Sequence, residues 1–176
     1  YYHLRKMFLS TPARNHMIVR SGDTFLVSYP RSGNTWLRFV LGTYLSDQKV
    51  DWLNLEHVFP DMYRCTEKFL KKLPDPRYIK SHHPYDRRFN KVIYVVRDPR
   101  DVVISYYYWH VKFYYFDDTQ ENFDKFFDDF ITGRIRDFGT WSYNVESWVH
   151  NCSDNKEKFI LVRYEDLKSN TREVIV

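Results

Sequence analysis

"TFLVSYPRSGNTWLRFVLGTYLS", residues 24–46, passes from an apolar, aromatic and β-branched run through a polar loop into an amphipathic run. Residues 24–29 read as a buried strand. Beyond the loop, Leu37, Val40, Leu41 and Tyr44 recur at helical spacing and predict one apolar helix face. A strand that hands over to a helix through Arg31, Ser32, Gly33, Asn34 and Thr35 offers consecutive backbone N–H groups at a helix N-terminus, where the partial positive charge favours an anion. Gly33 lets the main chain approach a ligand closely, Arg31 adds a full charge and Thr35 a hydroxyl. The spacing is not the GxxxxGK[ST] of a Walker loop, so an ATP site with its Mg²⁺ is not indicated. A capped helix after a tight turn accounts for this loop equally well when it is taken by itself.

The same alternation continues along the chain. "RYIKS" (77–81) reads as a short strand ending at His82, His83 and Pro84, "KVIYVV" (91–96) as the clearest buried strand, and "KFILVRY" (158–164) as a fourth. Asp98 suits an N-cap and Pro99 the first helical position after it. Phe123, Phe126, Phe127, Phe130 and Ile131 fall on one helical stripe with Gly133 as its stop, and Trp141, Val145, Trp148 and Val149 repeat the pattern. Strands that are continuous apolar runs, alternating with helices, predict an α/β fold on a parallel sheet. No internal repeat, low-complexity tract or linker divides residues 1–176, which read as a single domain.

In a parallel sheet, ligands bind beyond the carboxyl ends of the strands. Four polar segments occupy those ends here: "PRSGNT", "KSHH", "RDPRD" and "RYED". Arg97 leaves the third strand at the mouth of a helix, and Ser105, two helical turns past Asp98, returns to the same face. A guanidinium with a nearby hydroxyl grips a phosphate monoester. The plainer account pairs Arg97 with Asp98 or Asp101. Lys80 and His82 share one side of an extended segment. An imidazole can take a proton from a hydroxyl near neutral pH, and an ammonium beside it can stabilise charge developing on a transferred group.

Composition narrows the partners. The net charge of +4 is scattered, with no block of like charges, which fits small anions better than nucleic acid. Cys65 and Cys152 show neither metal-ligand spacing nor a disulfide framework, so a reducing, cytoplasmic setting is expected and no metal is called for. No apolar run approaches the roughly 20 residues of a membrane span, and residues 1–10, "YYHLRKMFLS", lack the apolar core of a signal peptide. At the other end, "SNTREVIV" presents a capping Asn170 or Thr171 and then stops, as a fragment of a longer chain would.

Taken in order and spacing, "SYPRSGNTWL" (28–37), "IKSHHP" (79–84), "VIYVVRDPRDVVISYYYW" (92–109), "FDDFITGR" (127–134) with "YNVESW" (143–148), and "VRYEDLKSN" (162–170) resemble the cytosolic-type sulfotransferases. Those enzymes use 3′-phosphoadenosine 5′-phosphosulfate (PAPS) and release the 3′,5′-bisphosphate PAP. The resemblance implies a P-loop-like three-layer fold, a central parallel sheet flanked by helices. It implies that Arg31, Ser32, Gly33, Asn34 and Thr35 bind the 5′-phosphosulfate end, that Trp36 stacks on adenine, and that Tyr164 touches the adenine edge. Arg97 and Ser105 are then expected on the 3′-phosphate. His82 is the implied catalytic base, with Lys80 and Arg31 beside the transferring sulfuryl group. The acceptor is expected to be a small molecule carrying a hydroxyl or an amine, with segments 52–76 and 112–122 around it. Animal members of the family carry Lys where this chain has Arg31, and the chain ends before the family's Arg-Lys-Gly element. Two other classes fit the loops less well: a P-loop nucleotide kinase, and a non-catalytic module binding nucleotides or nucleic acid.

Overall fold

Four apolar runs become the four strands of one sheet in the computed structural model, which describes residues 12–46, 48–114, 116–152 and 157–175. They are β1 (Thr24–Ser28), β2 (Tyr78–Ser81), β3 (Lys91–Val96) and β4 (Phe159–Arg163). The order is β2-β1-β3-β4 and every pairing is parallel. In register, Val27 faces Ser81, Ser28 faces Val95, and Val96 faces Arg163. All four carboxyl ends therefore lie along one rim.

The unbroken apolar character of β1 follows from its place in the centre. Phe25, Leu26 and Val27 are all fully buried, because the sheet is covered on both faces at its centre, whereas Ile160 and Leu161 of the edge strand β4 are exposed. Alternate side chains feed two separate cores. Phe25 and Val27 pack with Ile79, Tyr94 and Trp148, while Leu26 packs with Leu37, Val95, Val162 and Leu167. The helices that supply these partners are α1 (Asn34–Leu45), α6 (Trp141–Cys152) and α7 (Tyr164–Ser169), completing a three-layer α/β arrangement. Short helices α2 (Leu55–Val58), α3 (Glu67–Lys72) and α8 (Thr171–Ile175) are also present, with a 3₁₀ turn at Arg14–His16. A third cluster joins Tyr29 to α4 (Pro99–Tyr114) and α5 (Gln120–Thr132) through Val102, Tyr106, Phe126 and Phe130. Residues 1–10, read above as no signal peptide, lie outside the described residues.

Helix termini follow the expected chemistry. Asp98 accepts from the Arg100 N–H at 2.9 Å ahead of Pro99, and its carbonyl takes the first helical bond from Val102. Gly133 closes α5 in the left-handed conformation, φ 75°. Helix faces depart from expectation in two places. On α1, Leu37 is buried, but Tyr44 is 70% exposed and the buried stripe runs Asn34–Arg38–Gly42 instead. Arg38 tolerates burial because its guanidinium donates to the Phe59 carbonyl and pairs with Glu56 at 3.2 Å. On α5, Phe126 and Phe130 are buried while Phe127 and Ile131 are exposed, so the packed stripe is narrower than the apolar one. Arg77, read above as the first residue of a strand, instead forms a buried pair with Asp23, at 2.8 and 2.6 Å, that ties the entry of β1 to that of β2.

Candidate active site

The loop after β1 owes its shape to two left-handed residues, Arg31 (φ 70°) and Gly33 (φ 96°). Gly33 is the N-cap of α1, and no side chain caps the helix from that position. The tight turn of the plainer account is present, but glycine has no side chain with which to cap the first-turn N–H groups. The first-turn N–H groups of Asn34, Thr35 and Trp36 lie beyond the reach of intrahelical acceptors. Asn34 spends its amide inward, donating to the Leu26 carbonyl at 3.2 Å and to Ser28 Oγ at 3.1 Å, which pins the loop to the sheet. The Ser32 N–H donates to the Tyr29 carbonyl, while its buried Oγ finds no partner among the described residues. Thr35 is exposed and Trp36 half-buried.

Arg31 and Arg97 meet at this loop. Arg97 Nη1 donates to the Arg31 carbonyl at 3.2 Å, and Arg31 Nε donates to Ser105 Oγ at 3.2 Å. Burial, and then the neighbouring charge of Arg97, lower the Arg31 pKa from its ordinary value. Expected beside Arg97, Ser105 is instead held by the Arg31 side chain, while Arg97 binds the Arg31 main chain. Arg97 also approaches Asp101 at 3.5 Å, but Asp98 is taken by Arg100. Arg97 Nε is buried without a partner among the described residues. Its guanidinium carbon lies 4.5 Å from the centre of the Tyr164 ring. Tyr164 in turn meets Trp36 edge to face at 5.9 Å and lies so close over Gly33 that a Cβ there would come within 2.3 Å of its ring.

His82 stands where β2 ends. Its Nδ1 lies 2.7 Å from the Ser28 carbonyl, which can only accept, so Nδ1 carries the proton and Nε2 presents a lone pair. Burial first, then the nearby Lys80 ammonium, push the imidazole down to about 3, and the ring is neutral at physiological pH. Its backbone is fixed as well: the N–H donates to Tyr63 Oη at 3.0 Å and the carbonyl accepts from Asn144 Nδ2 at 3.1 Å. The Tyr63 ring stacks on the imidazole and Phe138 meets it edge-on, with centroids 5.8 and 5.6 Å away. Lys80 Nζ donates to Asp61 Oδ2 at 2.7 Å.

Asp61, Tyr63, Phe138 and Asn144 were not found from the sequence. Each reaches the site across 19 or more residues of chain, and nothing local distinguishes one Tyr among 15 or one Phe among 14. Asn144 carried the only usable signal: a polar residue on the apolar stripe of α6, between Trp141 and Trp148. Of segment 52–76, Tyr63 reaches His82 and Asp61 reaches Lys80. Segment 112–122 contributes Phe116 to a cavity of about 180 Å³ that is also lined by His110, Phe126 and Ile135. Among the described residues, no group of three His, Cys, Asp or Glu could hold a metal ion, and no helix is long and apolar enough to cross a membrane.

This rim of donors around a neutral imidazole can be set beside known proteins. In sequence the chain is 32% identical over 172 residues to mouse (Mus musculus) sulfotransferase 2B1, covering 91% of this chain and 49% of that protein. It is 30% identical over 174 residues to a 3-beta-hydroxysteroid sulfotransferase of Cavia porcellus, covering 92% and 59%. The chain spans about half the length of the curated relatives it matches. In structure it superposes on mouse sulfotransferase SULT7A1, solved as a complex with PAP, with a TM-score of 0.70 at 24% identity, covering 93% of this chain and 58% of that one. It also superposes on a retinol dehydratase in complex with androsterone and PAP, with a TM-score of 0.64 at 20% identity, covering 93% and 60%. At these identities the two likenesses carry the fold. The model of the sulfotransferase domain matches residues 21–176, which takes in all four strands and every loop of the rim, and the protein belongs to that family.

Proposed function

We propose that this protein transfers a sulfuryl group from PAPS to a hydroxyl or amine of a small-molecule acceptor, with His82 as the base. The observation that carries the reading is the state of His82: a neutral imidazole, its tautomer set by the Ser28 carbonyl, on the same rim as a helix N-terminus without a side-chain cap and two arginines.

The residues present suit the nucleotide. Arg97 Nε and Ser32 Oγ are buried polar atoms without a partner among the described residues, and an anion beside Arg97 satisfies that guanidinium. Arg97 and Ser105 take the 3′-phosphate. The loop from Arg31 to Thr35, with its open N–H groups, takes the 5′ end. Trp36 and Tyr164 bracket the base, Trp36 by stacking and Tyr164 at the edge. PAPS supplies an activated sulfur whose bond to the 5′-phosphate oxygen is the one that breaks. In the transfer the acceptor oxygen or nitrogen forms its bond to sulfur while that bond breaks, and its proton passes to His82 Nε2. A bound nucleotide brings negative charge to the rim, which raises the proton affinity of an imidazole otherwise held low by burial and by Lys80. Arg31 and Lys80 stabilise charge on the departing oxygen and on the sulfuryl oxygens.

Androsterone and retinol, bound by a structural neighbour or named with it, bear hydroxyl groups, and a hydroxyl-bearing small molecule is the first acceptor class to try. A cytoplasmic setting is part of the same reading, supported by two free thiols, Cys65 and Cys152. The test is transfer of labelled sulfuryl from PAPS by the full-length protein to a panel of phenols, alcohols and amines. Wild-type protein labels an acceptor, and His82→Ala lowers turnover about 10²–10⁴-fold while PAP affinity stays nearly unchanged. A folded His82→Ala protein with normal turnover removes His82 from the base role.

A further inference from the structure

We infer that Asp61 is a positioning residue of this site: its carboxylate clamps the Lys80 ammonium and, through Tyr63, the ring of His82 in one working arrangement. The inference rests on the sulfuryl-transfer reading above and adds to it a residue outside the sequence-predicted set.

Asp61 is almost fully buried, a place where a carboxylate survives only if every oxygen is used. Both are used, and both toward the site. Oδ2 accepts from Lys80 Nζ at 2.7 Å, and Oδ1 accepts from the Tyr63 N–H at 2.9 Å. Tyr63 in turn accepts the His82 N–H on its hydroxyl and stacks its ring on the imidazole. One carboxylate thus sits at the root of both arms, the ammonium and the base.

Main-chain bonds hold that root in place. The Lys80 N–H donates to the Pro60 carbonyl at 2.8 Å and the Met62 N–H to the Lys80 carbonyl at 3.3 Å, so residues 60–62 lie along β2 with Asp61 opposite Lys80. The Asp61 N–H donates to Glu56 Oε2 at 2.7 Å, and Glu56 is itself paired with buried Arg38 of α1, the helix that begins at the anion loop. Burial works against ionisation of Asp61, but the charge and hydrogen bond of Lys80, helped by Arg38, outweigh it and keep the carboxyl below its usual range. The clamp is therefore charged throughout the working pH range. A long, flexible lysine side chain without it samples many positions, and a misplacement of about 1 Å in a catalytic group costs on the order of 10²-fold in rate.

The experiment is a kinetic cycle on the full-length protein with PAPS and one acceptor: wild type, Asp61→Asn, Lys80→Met and the double variant. The inference expects Asp61→Asn to lower kcat about tenfold or more with KM for PAPS almost unmoved. In the Lys80→Met background it expects the second change to cost clearly less than in wild type, since the part carried by Lys80 is already lost and only the arm through Tyr63 and His82 remains. Where Asp61→Asn does not fold, Asp61→Glu, which keeps the charge and moves the carboxylate by one methylene, takes its place with the same expected loss. The inference is overturned by an Asp61 variant of normal kcat, by a loss of equal size in both backgrounds, or by a Lys80→Met protein of full activity. A wild type that transfers no sulfuryl group instead overturns the reading on which the inference stands.

Discussion

The Nδ1–H of His82 donates to the carbonyl of Ser28 at the end of the neighbouring strand, and that one bond commits Nε2 to proton acceptance. It also has a consequence for stability. The folded imidazole titrates near 3, whereas in the unfolded chain it titrates near the ordinary value of about 6.5. Between those values the unfolded state binds the extra proton and the folded state does not, so this group makes stability fall as pH drops. At one proton, the loss is about 1.4 kcal/mol per pH unit. His82→Gln lacks that penalty. Urea denaturation of both proteins at pH 7 and pH 5 is expected to shift by about 2 kcal/mol in favour of the variant at the lower pH; an unchanged difference contradicts a depressed imidazole. His82, Lys80, Arg31 and Arg97 were legible in the sequence because each sits at the end of a recognisable strand. Asp61 was not, because what makes it matter is a bond to a lysine 19 residues away and a burial that only the folded chain creates.

At the scale of elements, the β1-loop-α1 unit does most to shape the site. Its strand, loop and helix could be read from composition and spacing, and the alternation of such units led to the parallel sheet. The faces of α1 could not be read in the same way. Periodicity counts apolar residues, and here a buried arginine and a glycine line the packed side because Phe59, Glu56 and Val50 happen to lie opposite. The loop itself makes a sharp prediction at Gly33. Its φ of 96° is strained for any residue with a Cβ, and that Cβ would collide with Tyr164, which Arg97 and Trp36 hold in place. Gly33→Ala is expected to cost about 1–3 kcal/mol in urea denaturation and, by displacing Tyr164, to weaken PAP binding. A variant with wild-type stability and affinity contradicts this packing of loop against ring.

Across the whole molecule, a parallel sheet with covered faces has one rim to offer, and the chain places its chemistry there. Ser105, Arg31, Arg97 and Tyr164 are linked in that order by successive contacts, and His82 is bonded to the strand that leads into the same loop. The net charge of +4 matters less than this concentration of cations and open N–H groups at strand ends separated by dozens of residues. Such a rim suits a nucleotide with anionic groups at two positions on its ribose, and Arg97, with its unpartnered Nε, is the residue that most directly tests it. Calorimetric titration of the full-length protein with PAP, set against ATP with Mg²⁺ and repeated with Arg97→Ala, decides the matter. The expected result is one PAP site, preferred over ATP·Mg²⁺ and weakened about tenfold or more by the loss of a charge-assisted contact worth about 1.5–3 kcal/mol. Failure to bind PAP, a preference for ATP·Mg²⁺, or equal PAP affinity in the Arg97→Ala protein would contradict it.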